Sequence, residues 1–197
     1  MSRGNTNMLR IVGGRWRSRR LRFVDTEGLR PTPDRVRETL FNWLQFEIAG
    51  AVCLDAFAGS GALGFEALSR GAGRVVMIER QRTQFQQLQA SAQELQAEHL
   101  DLLLGDALAL LRQPAPWQPV EGFDGVFLDP PFHRELLPAI CSLLHERRLL
   151  KPGAFLYVES ECEWSALALP ASFVLQKQTH AGLVQAGLAR YQPEGMA

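Results

Sequence analysis

From residue 51 onward, short apolar runs alternate with longer segments whose apolar residues recur at helical spacing. Runs that are apolar throughout are typical of parallel strands buried on both faces, and the intervening segments are typical of the helices that cover them. The predicted strands are AVCLDAF, RVVMIE, LDLLLGD, FDGVFLDPPF and GAFLYVES, and the predicted helices are ALGFEALSRG, QRTQFQQLQASAQELQ, ALALLRQ and HRELLPAICSLLHERRLL. The pattern therefore predicts an α/β fold with a mostly parallel sheet.

Both ends of the chain depart from this alternation. Near the C-terminus, SFVLQKQTH and LVQAGLARYQ are predicted to form a closing antiparallel pair of strands. Near the N-terminus, LRIVGG and RLRFV flank the arginine-rich GGRWRSR and predict a β-hairpin. A helix should follow, with Thr32 as its cap and Pro33 in its first position. Its predicted apolar stripe consists of Val36, Leu40, Trp43, Leu44 and Ile48.

Acidic residues end the first four predicted strands of the alternating region. The carboxyl ends of parallel strands meet at one edge of a sheet, which is also where ligands bind in open α/β sheets. A single polar residue at a strand end would mean little, but four in succession indicate a ligand site. The residues expected along this rim are Asp55, Glu79, Asp106 and Asp129.

The net charge of zero conceals a strong asymmetry along the chain. Residues 1–37 contain ten arginines and three acids, a local charge of +7, whereas the remainder carries −7. Arginine offers phosphate a planar fork and stacks on bases, and these arginines alternate with apolar residues as in an ordered segment. We therefore predict a nucleic-acid-binding arm. The arginines expected to contact nucleic acid are Arg10, Arg15, Arg17, Arg19, Arg20, Arg22, Arg30, Arg35 and Arg37.

Length and composition exclude several classes of protein. A chain of 197 residues with 46% hydrophobic residues suits one well-buried core and a soluble protein. No run approaches the roughly 18 apolar residues of a membrane span, and the N-terminal residues lack the apolar core of a signal peptide, so we expect a cytoplasmic location. We also expect a monomer. The three cysteines and four histidines have no metal-binding or redox spacing, so we expect reduced structural thiols and no metal.

The turn AGSGALG, residues 58–64, contains the pattern G-x-G-x-x-G and admits two cofactors. Its glycines permit a tight turn, and the following helix N-terminus offers amide donors. Glu79 lies 20 residues after Gly59, the offset at which an acid receives ribose hydroxyls in dinucleotide enzymes, so a nicotinamide cofactor fits. S-adenosylmethionine also fits, because Asp55 can meet its ammonium group and Asp106 its adenine amine.

The stretch LDPPF, residues 128–132, favours S-adenosylmethionine. An exocyclic base amine is a poor nucleophile because its lone pair is delocalised into the ring, so it must be oriented toward the methyl carbon. Asp129 can accept one N–H of that amine and the Pro130 carbonyl can accept the other. Pro130 and Pro131 stiffen the turn, and Phe132 offers a flat face for the base. The predicted chemistry is methyl transfer to a nucleobase amine.

Three segments, RPTPDRVRETLFNWL, LDAFAGSGALGFEALSRGA and LDPPF, resemble in this order and spacing the bacterial 16S rRNA (guanine-N2)-methyltransferase family of the RsmD type. The resemblance extends over about residues 9–191. It implies a Rossmann-like class I methyltransferase fold, in which a mostly parallel seven-stranded sheet has an antiparallel last strand and a small N-terminal β-hairpin is added. Residues 1–30 would form that hairpin extension, and residues 31–197 the methyltransferase domain.

The resemblance also implies roles for individual residues and a substrate. Phe132 stands where the family often has tyrosine, so no role rests on a hydroxyl there. The implied cofactor-binding residues are Asp55, Phe57, Ala58, Gly59, Ser60, Gly61, Glu79, Arg80, Asp106 and Ala107, and the implied catalytic turn is Asp129, Pro130, Pro131 and Phe132. The implied reaction is S-adenosylmethionine-dependent methylation of the N2 amine of one guanine in 16S rRNA of the small ribosomal subunit.

Two alternatives remain open at the level of sequence. Adenine-N6 methylation of DNA or RNA uses the same turn at Asp129–Phe132 and the same fold. A nicotinamide-dependent oxidoreductase is supported by Gly59, Gly61, Gly64 and Glu79 alone.

Overall fold

The computed structural model describes residues 6–24, 32–131, 136–182 and 184–193. The strands within these ranges are β1 (Thr6–Arg10), β2 (Arg20–Val24), β3 (Val52–Asp55), β4 (Arg74–Glu79), β5 (Leu100–Leu104), β6 (Phe123–Leu128), β7 (Leu150–Ser160), β8 (Phe173–Ala181) and β9 (Val184–Tyr191). The helices are α1 (Asp34–Trp43), α2 (Ala62–Ser69), α3 (Arg82–Leu95), α4 (Ala107–Leu111) and α5 (Leu136–Glu146), with short 3-10 helices at Gly14–Trp16 and Trp164–Ala166.

Seven strands form one sheet in the order β5-β4-β3-β6-β7-β9-β8. The strands from β5 to β7 are mutually parallel, whereas β9 runs antiparallel to both of its neighbours. The prediction of a mostly parallel sheet with a reversed last strand is confirmed, and so is the closing antiparallel pair. The strand order changes direction between β3 and β6, and ligands in such sheets bind at the carboxyl ends on either side of this point.

Buried apolar side chains form two clusters, one on each face of the sheet. Successive side chains of a strand point to opposite faces, so Cys53 and Phe127 join a cluster with α1, α2 and α3, whereas Leu54 and Val126 join a cluster with α4 and α5. Both faces of the sheet are therefore covered, as the continuous apolar runs indicated.

The predicted N-terminal hairpin is confirmed. β1 and β2 pair antiparallel, with Thr6 opposite Val24 and Arg10 opposite Arg20. On the inner face of the hairpin, Leu9, Leu21 and Phe23 are buried in the same cluster as α1 and α2. The hairpin and the sheet therefore share one core, while the predicted boundary at residue 30 lies outside the described residues.

The turn of the hairpin contacts the end of α2 at a distance that only glycine permits. Gly14 has φ +73°, and a Cβ there would lie 1.9 Å from the Ser69 carbonyl oxygen. The Ser69 hydroxyl donates to the Gly13 carbonyl at 2.5 Å and accepts from the Trp16 N–H at 3.0 Å. The GG pair of the hairpin therefore serves close backbone contact with the core.

The start of α1 differs from the prediction. The helix begins at Asp34, with Pro33 in the capping position and no side-chain cap. Thr32 instead donates its buried hydroxyl to the Glu159 carboxylate at 2.6 Å. The predicted Thr32 cap is therefore wrong, because this residue is held by a partner 127 positions away that no local pattern reveals.

The helices and the cysteines of the described residues bear on two of the expectations from composition. None of their helices is both long and apolar enough to cross a bilayer. All three cysteines are free thiols, with Cys53 and Cys141 buried and Cys162 exposed.

Candidate active site

Four carboxylates lie on one face of the sheet at the ends of four adjacent strands. Asp55 pairs in register with Met77 of β4 and with Phe127 of β6, and Phe127 pairs with Tyr157 of β7. Side chains two residues apart on a strand share a face. Glu79, Asp129 and Glu159 therefore join Asp55 in a row, which we call the carboxylate row.

Asp55 lies beneath the glycine turn. Its side chain is 1% exposed, and its carboxylate accepts the Gly64 N–H at 3.1 Å, which ties β3 to the first turn of α2. Burial raises the pKa of Asp55 to about 7, against the opposing effect of hydrogen bonds from the Gly64 and Phe57 backbones. A pKa in this range places the change of charge of Asp55 near neutral pH, and its burial leaves almost no surface for direct contact with a ligand.

Glu79 and Gln84 hold the glycine turn from two sides. The Glu79 carboxylate accepts the Gly59 N–H at 2.9 Å and the Gln81 N–H at 2.7 Å. The Gln84 amide donates to the Gly59 carbonyl at 2.7 Å. Both the N–H and the carbonyl of Gly59 are thus hydrogen-bonded. The residue has φ +50°, a left-handed conformation that glycine adopts without strain. The remaining lone pairs of Glu79 are available for hydroxyl donors.

The other predicted cofactor residues surround this turn or follow β5. Phe57 is partly buried and packs against the second cluster, while Ala58, Ser60 and Gly61 are buried within the turn. Asp106 is exposed and caps α4 by accepting the Ala109 N–H at 3.0 Å. Ala107 is buried at the first position of α4, and Arg80 is exposed after β4.

The predicted catalytic turn begins directly after β6. Asp129 is partly buried, Pro130 is buried and Pro131 is partly buried, whereas Phe132 lies outside the described residues. Burial raises the pKa of Asp129 well above its usual value, and the nearby Glu159 and Asp55 carboxylates raise it further. Ionised Asp129 is therefore a stronger proton acceptor than an ordinary aspartate.

The sequence analysis missed Glu159, the penultimate residue of β7, which neighbours Asp129 in the carboxylate row. Glu159 is 3% exposed and accepts hydrogen bonds from the Thr32 hydroxyl at 2.6 Å and the Tyr157 hydroxyl at 2.9 Å. Burial raises its pKa, and these two donors and Arg37 oppose the shift. The signal was available, because GAFLYVES also has an acid next to its last residue, and the reasoning applied to the four preceding strands covers it.

Most of the predicted RNA-binding arginines are exposed on the hairpin. Arg20 and Arg22 alternate with the buried Leu21 and Phe23 along β2, so their side chains point away from the core. Arg10 pairs with Asp34 at 2.8 Å, Arg19 pairs with Glu94 at 3.4 Å, and Arg15 lies over the Trp16 ring at 4.1 Å from its centroid. Among the described residues, those predicted arginines that are exposed and have no ion pair or ring contact are Arg17, Arg20, Arg22 and Arg35. Arg30 lies outside the described residues.

Arg37 must be removed from the set of RNA contacts. Its side chain has no exposed surface, and it donates to the carbonyls of Arg10 and Thr32 and to the carboxylates of Asp34 and Glu66. Its helix position turns it toward the core, where burial lowers its pKa despite these acids. The prediction for this residue was wrong, because it joins the hairpin, α1 and α2 from within.

The residues at the rim fit S-adenosylmethionine. Gly61 has φ +79°, and a Cβ there would lie 2.5 Å from the Phe65 ring, so the turn depends on glycine for its path. Glu79 offers lone pairs for ribose hydroxyls and Asp106 an exposed carboxylate for the adenine amine. The negative charge of Asp55 suits an ammonium group. Within the described ranges, no group of His, Cys, Asp and Glu is arranged to hold a metal.

Solved structures share this architecture. Escherichia coli yhhF has a TM-score of 0.82 and 43% identity, with 95% of this chain and all of that chain covered. An RNA methyltransferase from Salinibacter ruber in complex with S-adenosyl-L-homocysteine has a TM-score of 0.60 at 17% identity, covering 85% of this chain and 97% of that one, a likeness of fold alone. The strand order, the reversed last strand and the glycine turn define the class I methyltransferase fold.

The chain belongs to the family described as conserved hypothetical protein 95, whose profile matches residues 9–190. The Haemophilus influenzae protein named ribosomal RNA small subunit methyltransferase D is 47% identical over 178 residues, covering 89% of this chain and 90% of its own. The Escherichia coli K12 protein of the same name is 43% identical over 190 residues, covering 96% and 93%. The resemblance drawn from three sequence segments is therefore confirmed, and a methyltransferase replaces the oxidoreductase alternative.

Proposed function

We propose that this protein transfers a methyl group from S-adenosylmethionine to the N2 amine of a guanine in 16S rRNA of the small ribosomal subunit. The observation that carries the proposal is the position of Asp129, which follows β6 at the switch point of the sheet, within the carboxylate row. The relatives named ribosomal RNA small subunit methyltransferase D support the class of substrate.

The residues of the rim divide the work of the reaction. S-adenosylmethionine, when bound, supplies an electrophilic methyl group on a sulfonium. Asp129 accepts one N–H of the guanine amine and the Pro130 carbonyl accepts the other, which orients the nitrogen lone pair. As the N–C bond forms, the bond from the methyl carbon to sulfur would break and S-adenosylhomocysteine would leave as a neutral thioether. The Asp129 carboxylate stabilises the positive charge on the nitrogen and then takes one of its N–H protons. The raised pKa of Asp129 favours this last step.

The hairpin supplies affinity for the RNA backbone. Its exposed arginines that have no ion pair or ring contact, Arg17, Arg20 and Arg22, can contact phosphates without reading sequence. Specificity must then come from RNA shape and from a base that is unpaired and turned into the site.

A labelled-methyl assay tests the proposal. The protein is incubated with S-adenosylmethionine labelled in the methyl group and with small subunits, free 16S rRNA or duplex DNA, each lacking the modification. Nucleosides from the digested product are then separated. We expect label in N2-methylguanosine from the rRNA substrates. Label in N6-methyladenosine from the rRNA, or in N6-methyl-2′-deoxyadenosine from the DNA, with none in guanosine would establish the adenine alternative and reject the guanine assignment.

A variant at Asp129 tests the proposed chemistry. Asp129→Asn keeps the shape of the side chain and one acceptor oxygen but removes the charge and the proton acceptor. We expect single-turnover methylation to fall by at least about 100-fold, the low end of general acid–base effects, with cofactor affinity retained. Turnover at the wild-type rate would reject the role of Asp129 and leave the substrate assignment to the labelling result.

A further inference from the structure

We propose that Gln84 is a positioning residue that couples the RNA-binding hairpin to the cofactor-binding turn. The side chain of Gln84 is 2% exposed and lies between the two. Its Oε1 accepts the Val24 N–H from the end of β2 at 3.0 Å, and its Nε2 donates to the Gly59 carbonyl at 2.7 Å. The inference rests on the proposed function for the identity of the two ligands.

The hairpin determines which way the Gln84 amide points. The Val24 N–H is a donor and the Gly59 carbonyl is an acceptor, so only one orientation of the amide satisfies both. The reverse orientation would place oxygen against oxygen and N–H against N–H. If the end of β2 moves away, the amide loses the partner that sets this orientation, and its hold on Gly59 weakens. A backbone group of the hairpin therefore controls a side-chain donor to the glycine turn.

The glycine turn passes this constraint to a predicted cofactor ligand. The carbonyl of Gly59 is held by Gln84, and its N–H is held by Glu79 at 2.9 Å. Rotation of the Gly59–Ser60 peptide would break the hydrogen bond from Gln84, and rotation of the Ala58–Gly59 peptide would break the hydrogen bond to the Glu79 carboxylate. One chain of hydrogen bonds thus runs from Val24 through Gln84 and Gly59 to Glu79, the residue assigned to the ribose.

The RNA-facing side of β2 belongs to the same rigid unit. Arg20 and Arg22 are exposed on this strand, while Leu21 and Phe23 between them are buried in the cluster that includes Leu88 of α3. β2 therefore packs against the helix that carries Gln84. RNA phosphates that bind these arginines will restrain β2, and this favours the arrangement in which Gln84 holds Gly59. Because binding linkage is reciprocal, cofactor in the turn will strengthen RNA binding equally.

Two substitutions at Gln84 and a control separate the parts of this bridge. Gln84→Glu keeps an acceptor for the Val24 N–H but has no donor for the Gly59 carbonyl. Gln84→Met removes both hydrogen bonds at similar volume. Gln89→Glu is the matched control, since it places the same new charge on an exposed position of α3. Thermal unfolding and circular dichroism first establish that each variant is folded.

The measurement is the affinity for S-adenosylhomocysteine, an unreactive probe, with and without saturating unmethylated small subunits. We expect subunits to tighten probe binding by about fivefold or more in the wild type and in Gln89→Glu, the lower end of typical coupling. In Gln84→Glu and Gln84→Met the effect should fall below about twofold. At saturating RNA, Gln84→Glu should raise the KM for S-adenosylmethionine with little change in kcat, because Asp129 is untouched. Loss of folding or packing alone would not raise KM while leaving kcat nearly unchanged.

Hydrogen exchange in the wild-type protein gives a test that needs no variant. S-adenosylhomocysteine alone should slow exchange of the β2 amides, Val24 included, although this strand is distinct from the carboxylate row. Absence of coupling in the wild type, or its persistence in both Gln84 variants, overturns the inference while leaving the proposed function intact. If the wild type binds neither probe nor RNA, the proposed function fails and this inference falls with it.

Discussion

The Asp55 carboxylate is buried at the end of β3, and its pKa of about 7 makes its charge costly to the folded protein. Between the ordinary value of 3.8 and about 7, the folded state binds more protons than the unfolded state, so stability falls as pH rises through this window. Asp55→Asn should therefore stabilise the cofactor-free protein at pH 8 by up to about 4 kcal/mol, with little change at pH 4. The Asn oxygen can still accept the Gly64 N–H.

Urea unfolding at the two pH values measures this effect, and S-adenosylhomocysteine titration measures its functional counterpart. We expect the more stable variant to bind the probe more weakly, since the charge that destabilises the fold attracts the ammonium group. Equal stabilisation at both pH values would show that the variant acts through packing and that the Asp55 carboxyl is not titrating near neutrality.

We expect Glu159 to affect the proposed reaction through the effect of its negative charge on the pKa of Asp129. Glu159 and Asp55 both raise the pKa of Asp129, while Arg37 and the hydroxyls of Thr32 and Tyr157 favour the charged form of Glu159 itself. Glu159→Gln removes the negative charge but keeps an oxygen for both hydroxyls. The pKa of Asp129 should fall, so the acid limb of the single-turnover rate should move to lower pH.

A pH series on the variant, with exposed Glu163→Gln as control, measures the position of that limb. The wild type and the control should share one profile. If the acid limb of Glu159→Gln coincides with theirs, Asp129 does not set the limb or does not sense Glu159.

Sequence could identify residues whose role follows from their place on a strand, and it could not identify those defined by distant partners. Asp55, Glu79 and Asp129 were predicted because strand ends converge at one edge. Gln84 is one of several glutamines in a polar helix, and its role depends on Val24, 60 positions away in the chain. Arg37 looked like its neighbours in a basic segment until packing turned it inward.

At the scale of elements, the hydrophobic pattern predicted the order and type of the sheet strands because burial on both faces leaves a continuous apolar run. The start of α1 was misjudged because Thr32 bonds to Glu159 across the molecule. The hairpin was predicted, but its glycines gave no sign that the turn contacts α2. The sequence pattern thus predicted the helices and strands themselves better than the contacts between them.

The arginines of the hairpin differ in whether another residue already pairs with them, so they should contribute unequally to RNA binding. Arg17, Arg20 and Arg22 are exposed, whereas Arg10 and Arg19 have acidic partners. Replacing Arg17, Arg20 and Arg22 by alanine should weaken RNA binding. It should also reduce the magnitude of the slope of log K against log salt concentration by about 2–3, since each phosphate contact contributes about 0.7–0.9 to that slope. Equilibrium binding to 16S rRNA at several salt concentrations measures the slope.

The matching control is Arg112→Ala, which removes an exposed arginine after α4, on the opposite face of the sheet. This variant should keep the wild-type slope. An unchanged slope in the triple variant, or an equal change in the control, would place the phosphate contacts outside the hairpin.

For the molecule as a whole, a buried ion cluster joins parts that are far apart in sequence. Glu66 accepts the Val12 N–H of the hairpin at 2.9 Å, the Arg37 guanidinium of α1 at 3.2 Å and the Arg70 guanidinium at 2.8 Å. Removing one member of such a buried pair leaves an uncompensated charge, at a cost of about 3–5 kcal/mol. The cluster therefore ties the hairpin, α1 and α2 together, and loss of one member should destabilise all three contacts.

A shared core and a shared ion cluster imply that the hairpin unfolds with the rest of the protein. Leu21 of β2 has no exposed surface and packs in the cluster that contains Leu40 and Phe65. Leu21→Ala should lower the free energy of unfolding by about 2–5 kcal/mol, and Tm by roughly 2–4 °C per kcal/mol, within one transition. Met8→Ala, at a half-exposed position of β1, should change Tm little. Circular dichroism and tryptophan fluorescence should give coincident unfolding curves.

Two separated transitions, with the main Tm unchanged in Leu21→Ala, would show that the hairpin unfolds as an independent unit. A rigid connection from the RNA to the cofactor through Gln84 would then be ruled out, because that connection requires the hairpin and α3 to belong to one folded unit.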